Sequence, residues 1–215
     1  LRGELRSLVA MDREVMEDAV AVDIVRILWT APIISASHFL AALGFWFQEP
    51  PAAPIEIRWL KWVTGINFVI AAVNILIGLV AWLIRKKESS RQTQSMLLYF
   101  VIVYVLLAGL FISVIDQLVI PSISPLIISV VIVATFYYIP PKNSFLIFTA
   151  FLLCFRFIFT TFTYDSGNIL SSNLTNGFVA CVVGFSLSVV NWQHFRKLKI
   201  QQNTITKQQE QLEQM

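Results

Sequence analysis

The chain has 215 residues, of which 57% are hydrophobic and 13% charged, and its mean hydropathy is +0.72. Soluble domains carry about 25% charged residues, so this composition excludes an ordinary water-soluble globular domain and indicates an integral membrane protein. The net charge of +3 comes from basic residues spread over several loops, which does not indicate a nucleic-acid-binding protein.

Residues 1–27 place apolar side chains at helical spacing, with Arg, Asp and Glu on the other faces. This pattern predicts a cytoplasmic amphipathic helix that lies on the membrane surface or on a partner helix. The first long apolar run begins near Leu28, behind these charges and without a cleavage site, which indicates a retained span rather than a signal peptide. Met11 is an alternative natural start of the protein.

Six apolar segments follow, each close to the roughly 20 residues that a membrane-spanning helix needs. Proline-rich, glycine-containing or charged loops separate them. We therefore predict an all-α integral membrane fold, with a six-helix sensor domain over 28–194. The predicted spans are 28–47, 59–84, 96–116, 122–139, 144–163 and 172–192.

Basic residues mark alternate connections between these spans. They lie in the loop 85–91, at Lys142, and after the last span at Arg196, Lys197 and Lys199. Because loops rich in Lys and Arg stay in the cytoplasm, both termini are predicted to be cytoplasmic.

The polar residues His38, Asn67 and Asn74 lie well inside the first two predicted spans. Polar groups in a membrane are costly, so each is a candidate functional residue. Hydrogen bonding between helices is the simpler interpretation, and a ligand-binding role is the alternative.

Arg156 is the strongest single signal, because an arginine this far from both ends of a predicted span needs an anionic partner or water. Asp116 is predicted at a compatible depth, and a structural ion pair between the two is one interpretation. In the other, Arg156 binds the anionic head of a ligand. The residues predicted to line that outer cavity with it are His38, Asn67, Asp116, Tyr164 and Asp165.

Residues with other chemistry are sparse. The two histidines, His38 and His194, show no metal-ligand spacing, and we find no phosphate-binding loop and no nucleophile with a placed base. Cys154 and Cys181 both fall in apolar runs, which favours a buried apolar role. The sequence therefore predicts no metal, no cofactor and no catalytic residue within these 215 residues.

The segment 195–215 carries a seven-residue stripe of Leu198, Ile205 and Leu212. Gln201, Gln208 and Met215 occupy the alternate core position. Such a stripe predicts the start of a parallel dimeric coiled coil. Because no Gly or Pro follows Gly184, the last span and this segment can form one helix. A solvated helix that only ends the protein is the alternative.

The closing passage NWQHFRKLKIQQNTITKQQEQLEQM resembles the exit helix of bacterial multi-span sensor modules that feed GGDEF (diguanylate cyclase) domains. The resemblance implies a homodimer in the bacterial plasma membrane that relays a ligand or membrane signal to a cytoplasmic diguanylate cyclase following Met215, and hence c-di-GMP signalling. The resemblance assigns no catalytic residue to this chain. Histidine kinases and c-di-GMP phosphodiesterases use similar entry helices, so a sensor role is implied more strongly than the kind of output.

Two other functions remain open from the sequence. A small transporter or channel predicts discontinuous helices or related halves. An inert membrane anchor predicts that Arg156 and Asp116 serve folding only. The partners expected across these hypotheses are membrane lipid, a second copy of the chain, and a small apolar or anionic ligand.

Overall fold

The computed structural model describes residues 2–87, 89–162 and 167–214, with side chains from Glu14 onward. Over these ranges the chain forms helices and no strand, which confirms the all-α prediction. In chain order the helices are α1 (Arg2–Trp46), α2 (Pro54–Lys86), α3 (Arg91–Asp116), α4 (Ser124–Phe136), α5 (Pro141–Phe162) and α6 (Gly167–Glu213).

All of these helices except α4 are long and apolar enough to cross a membrane, which gives a multi-pass membrane protein with five such helices in the described residues. Helix α4 has 13 residues, about 20 Å of helix, and a hydrocarbon core is about 30 Å thick. Pro125 lies in its first turn. The helix ends at Phe136, because the backbone of Tyr137 is extended and Pro140 and Pro141 follow. Six full-length spanning helices are therefore not confirmed.

Helix α1 runs without interruption for 45 residues and contains Pro32. The predicted boundary between an amphipathic helix at 1–27 and a first span at 28 falls inside it. Residues 4–31 contain no Gly or Pro that would end a helix. The predicted surface helix and the first span are consequently one continuous rod.

Helix α6 is also continuous, over 47 residues. It carries the last predicted span, the basic residues after it and all three residues of the heptad stripe, so the predicted continuity is confirmed. At 1.5 Å per residue its length is about 70 Å, more than twice the hydrocarbon thickness. One part of α6 must therefore project from the bundle.

One end of the bundle, here called the Trp59 end, joins α1, α2 and α3. The rings of Phe45 and Trp59 are 5.7 Å apart between centroids. The Trp59 Nε1–H donates to Asp116 Oδ1 over 3.1 Å. The end of α1, the start of α2 and the end of α3 thus lie together.

The opposite end, here called the Lys199 end, joins the first half of α1 to α3, α5 and α6. Lys199 Nζ lies 3.1 Å from Asp18 Oδ2, and Asn143 near the start of α5 donates to the Tyr99 hydroxyl of α3. Because α3 finishes at the Trp59 end and α5 begins at the Lys199 end, the segment 117–140 runs from one end of the bundle to the other.

Glycines allow close helix contacts in the membrane part. A Cβ atom at Gly177 would collide with the Phe155 ring of α5, and one at Gly184 would collide with Val130 of α4. Gly109 likewise brings α3 against the backbone of α4. Such small residues let helices approach closely without a hydrophobic driving force, and they fix α6 against both α4 and α5.

Candidate functional site

A buried charged group connects three elements at the Lys199 end. The Asp23 side chain on α1 is fully buried, with 0% exposure. Its Oδ2 accepts a hydrogen bond of 2.8 Å from the Tyr138 backbone N–H, and its Oδ1 lies 3.3 Å from NH1 of Arg26. Helix α1 is thereby bonded to the connection between α4 and α5.

The Arg26 guanidinium also bonds the last residue of α4 and the α4–α5 connection. NH1 donates to the Phe136 carbonyl over 2.5 Å, and NH2 donates to the Tyr138 hydroxyl over 2.6 Å. The guanidinium carbon also lies 4.0 Å from the centroid of the Tyr138 ring. The planar guanidinium of arginine can donate several hydrogen bonds and stack on a ring at the same time. The ammonium group of lysine cannot do both.

Tyr138 also contacts α6. Its ring stacks on Phe195, with centroids 4.1 Å apart and an interplanar angle of 25°. Phe195 and Trp192 are buried with Val15 and Ala19 of α1 in a separate apolar cluster. We call Asp23, Arg26, Tyr138 and Phe195 the clamp, since together they hold α6 to α1 and to the α4–α5 connection.

The clamp was not predicted from the sequence. The charges of residues 1–27, Asp23 and Arg26 among them, were expected on the polar faces of a surface helix, whereas the structure buries Asp23 completely. A usable signal was present, because the two charges lie three positions apart in an otherwise apolar stretch, AVAVDIVRILW. An opposite-charge pair at that spacing is typical of helix neighbours that neutralise each other.

The polar residues predicted in the first two spans are brought together. His38 Nδ1 and Asn67 Oδ1 are 2.6 Å apart across α1 and α2, and Asn74 Nδ2 donates to the Tyr104 hydroxyl of α3 over 3.0 Å. Both Asn67 and Asn74 are buried. Hydrogen bonding between helices is therefore one of their roles, and His38 and Asn74 also line a cavity of about 360 Å³ between α1, α2, α3 and α4.

Arg156 lies apart from this group. It lines a second cavity, of about 570 Å³, between α5 and α6. Within the part of the chain that the structure describes, Arg156 forms no ion pair with Asp116, whose carboxylate accepts from Trp59 instead. The structure thus places two residues of the predicted outer cavity differently: α3 presents Asp116 to Trp59 of α2, whereas Arg156 of α5 lies beside α6.

Two further residues of that predicted site, Tyr164 and Asp165, lie outside the described residues. Among those described, no group of three or more His, Cys, Asp or Glu side chains is placed to hold a metal ion. Cys154 and Cys181 are free thiols.

The apolar side chains of the heptad stripe of α6 are exposed. Leu198, Ile205 and Leu212 are 50%, 55% and 66% exposed. Lys199 and Asn203, which contact Asp18 and Glu14 of α1, lie about 140° around the helix from that stripe at 3.6 residues per turn. The apolar stripe is thus available to a partner while the opposite face of α6 is held by α1.

Known proteins do not supply a family for this arrangement. No protein-family model, no curated protein and no solved structure matches the chain.

Proposed function

We propose that this chain is a membrane sensor and dimerisation module, in which α6 carries a signal from the membrane to a cytoplasmic output domain. The observation that carries the proposal is the continuity of α6 over 47 residues. Its first part packs on α4 and α5 at Gly177 and Gly184, and its last part leaves the bundle. A movement of the membrane part is therefore transmitted along a rigid rod.

A second copy of the chain is the partner that fits the α6 stripe. Three large apolar side chains recur at intervals of seven on a helix that ends in polar sequence, and all three are exposed. Glutamines at the alternate positions weaken such a seam. A marginal seam suits a relay, because small changes at the membrane can shift its rotation or register.

The proposed topology has six membrane crossings, and the segment 117–140 makes the fourth. In support, Asp116 lies at the Trp59 end and Asn143 at the Lys199 end, so the short helix α4 and its flanks cover the distance between them. An even number of crossings agrees with the ion pair of Lys199 and Asp18, since α6 and the first half of α1 then project on one side. The basic loops favour the cytoplasm for that side.

For the output domain we propose a diguanylate cyclase, in a bacterial plasma membrane. The support is the resemblance of the α6 tail to the exit helix of GGDEF sensor modules, and a histidine kinase is the alternative output. Such cyclases require two nucleotide-loaded domains to face each other, which a dimeric helix pair provides.

Disulfide crosslinking tests the dimer seam. In a background with Cys154 and Cys181 replaced by Ala, cysteines at Leu198, Ile205 and Leu212 should form interchain disulfides in membranes, because core positions of a parallel pair bring Cβ atoms within reach. The matched control, Glu210→Cys, lies on the opposite face of α6 and should crosslink weakly. Equal crosslinking at all four positions would contradict a parallel seam.

A fusion tests the relay. Joining Met215 to a diguanylate cyclase domain through helical inserts of one to seven residues should give c-di-GMP output that rises and falls with insert length and recovers at seven, because that insert restores the heptad phase. Output that is independent of insert length would overturn the relay.

A small transporter is the second candidate, and the interrupted path of 117–140 around α4 favours it, since transporters bind substrates at discontinuous helices. It predicts solute uptake by reconstituted protein that survives removal of residues 195–215. The relay predicts no uptake and a loss of output when the same residues are removed.

A further inference from the structure

The cavity between α1, α2, α3 and α4 is apolar over most of its wall. Its lining includes Ile34, Ile70, Val105 and Ile132. Its volume, about 360 Å³, is that of a site for a small organic molecule. The polar side chains of this lining are therefore the groups that would select the occupant.

The donors in this lining are already used by the fold. The Tyr104 hydroxyl accepts from Asn74 Nδ2 over 3.0 Å and donates to the Ile70 carbonyl over 3.3 Å. Asn74 Nδ2 donates to that same carbonyl over 2.8 Å, and the Ser129 hydroxyl donates to Leu126 over 2.8 Å. These groups retain accepting capacity and offer a ligand no donor.

The hydrogen bonds of Asn67 fix the proton of His38. Asn67 Nδ2 donates to the Val63 carbonyl over 2.7 Å, so its Oδ1 is the atom that faces His38 at 2.6 Å. An amide oxygen only accepts, and the proton of a neutral imidazole must then be on Nδ1. The other ring nitrogen, Nε2, becomes an acceptor, and it has no hydrogen-bond partner among the described residues.

We propose that this cavity binds a small apolar molecule carrying a hydroxyl group, such as a phenol, a quinol or an aliphatic alcohol, and that the hydroxyl donates to His38 Nε2. A lining whose free polar atoms are acceptors selects a donor, and the apolar wall selects a molecule that reaches the site from the bilayer. The idea that this cavity is the input of the relay rests on the proposed function. The binding of a hydroxyl-bearing molecule does not depend on that function.

The cavity is connected to α6 through α4. Pro125, Ile128 and Ser129 of α4 line it, and Val130 of the same helix packs against Gly184 of α6. Since α4 is the shortest of the four helices around the cavity and ends at Phe136, it is the wall best able to shift when the cavity is filled. A molecule bound in this cavity therefore contacts α4, the helix that packs against α6 and leads into the clamp.

A matched pair of probes tests the hydroxyl requirement. The protein in lipid nanodiscs is titrated with 4-tert-butylphenol and with 4-tert-butylanisole, which replaces the hydroxyl by a methyl ether, and the saturable rise in Tm is recorded. The phenol should half-saturate at about one tenth of the anisole concentration, because a net hydrogen bond of about 1.4 kcal/mol is a tenfold difference. Equal half-saturation would overturn the proposal.

Variants locate the site. His38→Leu should make the two probes equal, and a difference that persists in His38→Leu would also overturn the proposal. Ala108→Leu narrows the cavity without removing His38 and should weaken both probes, which keeps the test valid if His38→Leu does not fold. The control is Ala150→Leu, which changes an entirely apolar cavity between α3 and α5 and should leave the tenfold preference intact.

These measurements use the chain without any output domain. A failure to bind the phenol preferentially would leave the crosslinking and fusion results standing, and a failure of those experiments would leave the binding result standing.

Discussion

The ring of Tyr138 in the α4–α5 connection stacks on Phe195 of α6, with centroids 4.1 Å apart. Tyr138 is at the same time bonded through its backbone to Asp23 and through its hydroxyl to Arg26. This aromatic pair therefore links α6 to both α1 and the α4–α5 connection, in addition to the contacts of Gly177, Gly184 and Lys199.

A double-mutant cycle measures this pair. Tyr138→Leu and Phe195→Leu should each destabilise the protein, and their coupling energy should be about 0.5–1.5 kcal/mol, as for other stacked aromatics. Unfolding of the two single variants and the double variant in detergent gives the value. The control cycle pairs Tyr138 with Phe39, which lies on α1 about 20 Å along the helix from Arg26; those effects should be additive.

Asp23→Ala should lower Tm by about 5–10 °C, because it leaves the Tyr138 N–H and part of the Arg26 guanidinium without a buried acceptor. The matched control is Asp18→Ala, on the same helix. Asp18 pairs with Lys199, and both side chains are partly open to solvent. Solvent-accessible pairs contribute little, so this variant should change Tm by no more than about 2 °C. Similar losses in the two variants would show that Asp23 is not buried as described.

Gly177→Ala should destabilise the bundle, because the new methyl group would collide with the buried Phe155 ring. The expected loss is about 1–3 kcal/mol, the usual range for overpacking. Gly65→Ala is the control: nothing lies within 4 Å of a Cβ placed there, in the middle of α2. It should be neutral or stabilise by up to about 1 kcal/mol, the helix preference of Ala over Gly. A neutral Gly177→Ala would contradict the close contact of α5 and α6.

Arg156→Gln should leave the stability of the bundle almost unchanged, with a Tm shift within about 2 °C, since Arg156 is exposed and forms no ion pair with Asp116 in the described part of the chain. Arg26→Gln is the comparison, and it should cost several times more because Arg26 bonds Phe136 and Tyr138. A large loss for Arg156→Gln would restore the structural ion-pair interpretation.

Hydropathy and proline positions predicted most of the helices, because transfer to lipid and helix breaking depend on a residue and its immediate neighbours. They located the five long apolar helices and the continuity of α6. They overestimated the length of α4. Its apolar composition resembles that of a full span, but Pro125 and the Pro140–Pro141 pair restrict the helix to 13 residues.

The polar residues show the same difference between what the sequence predicts and what the packing decides. The sequence by itself identified His38, Asn67 and Asn74 as polar groups inside spans, and such residues need hydrogen-bond partners wherever the helices lie. Only the tertiary structure decided which partners they have, separated Arg156 from Asp116, and joined Asp23 to Tyr138 across 115 positions. The physical reason is that the cost of a polar group in lipid is a property of each segment, whereas pairing depends on which helix faces meet. Close contacts such as those at Gly109, Gly177 and Gly184 exist only once the helices are packed together.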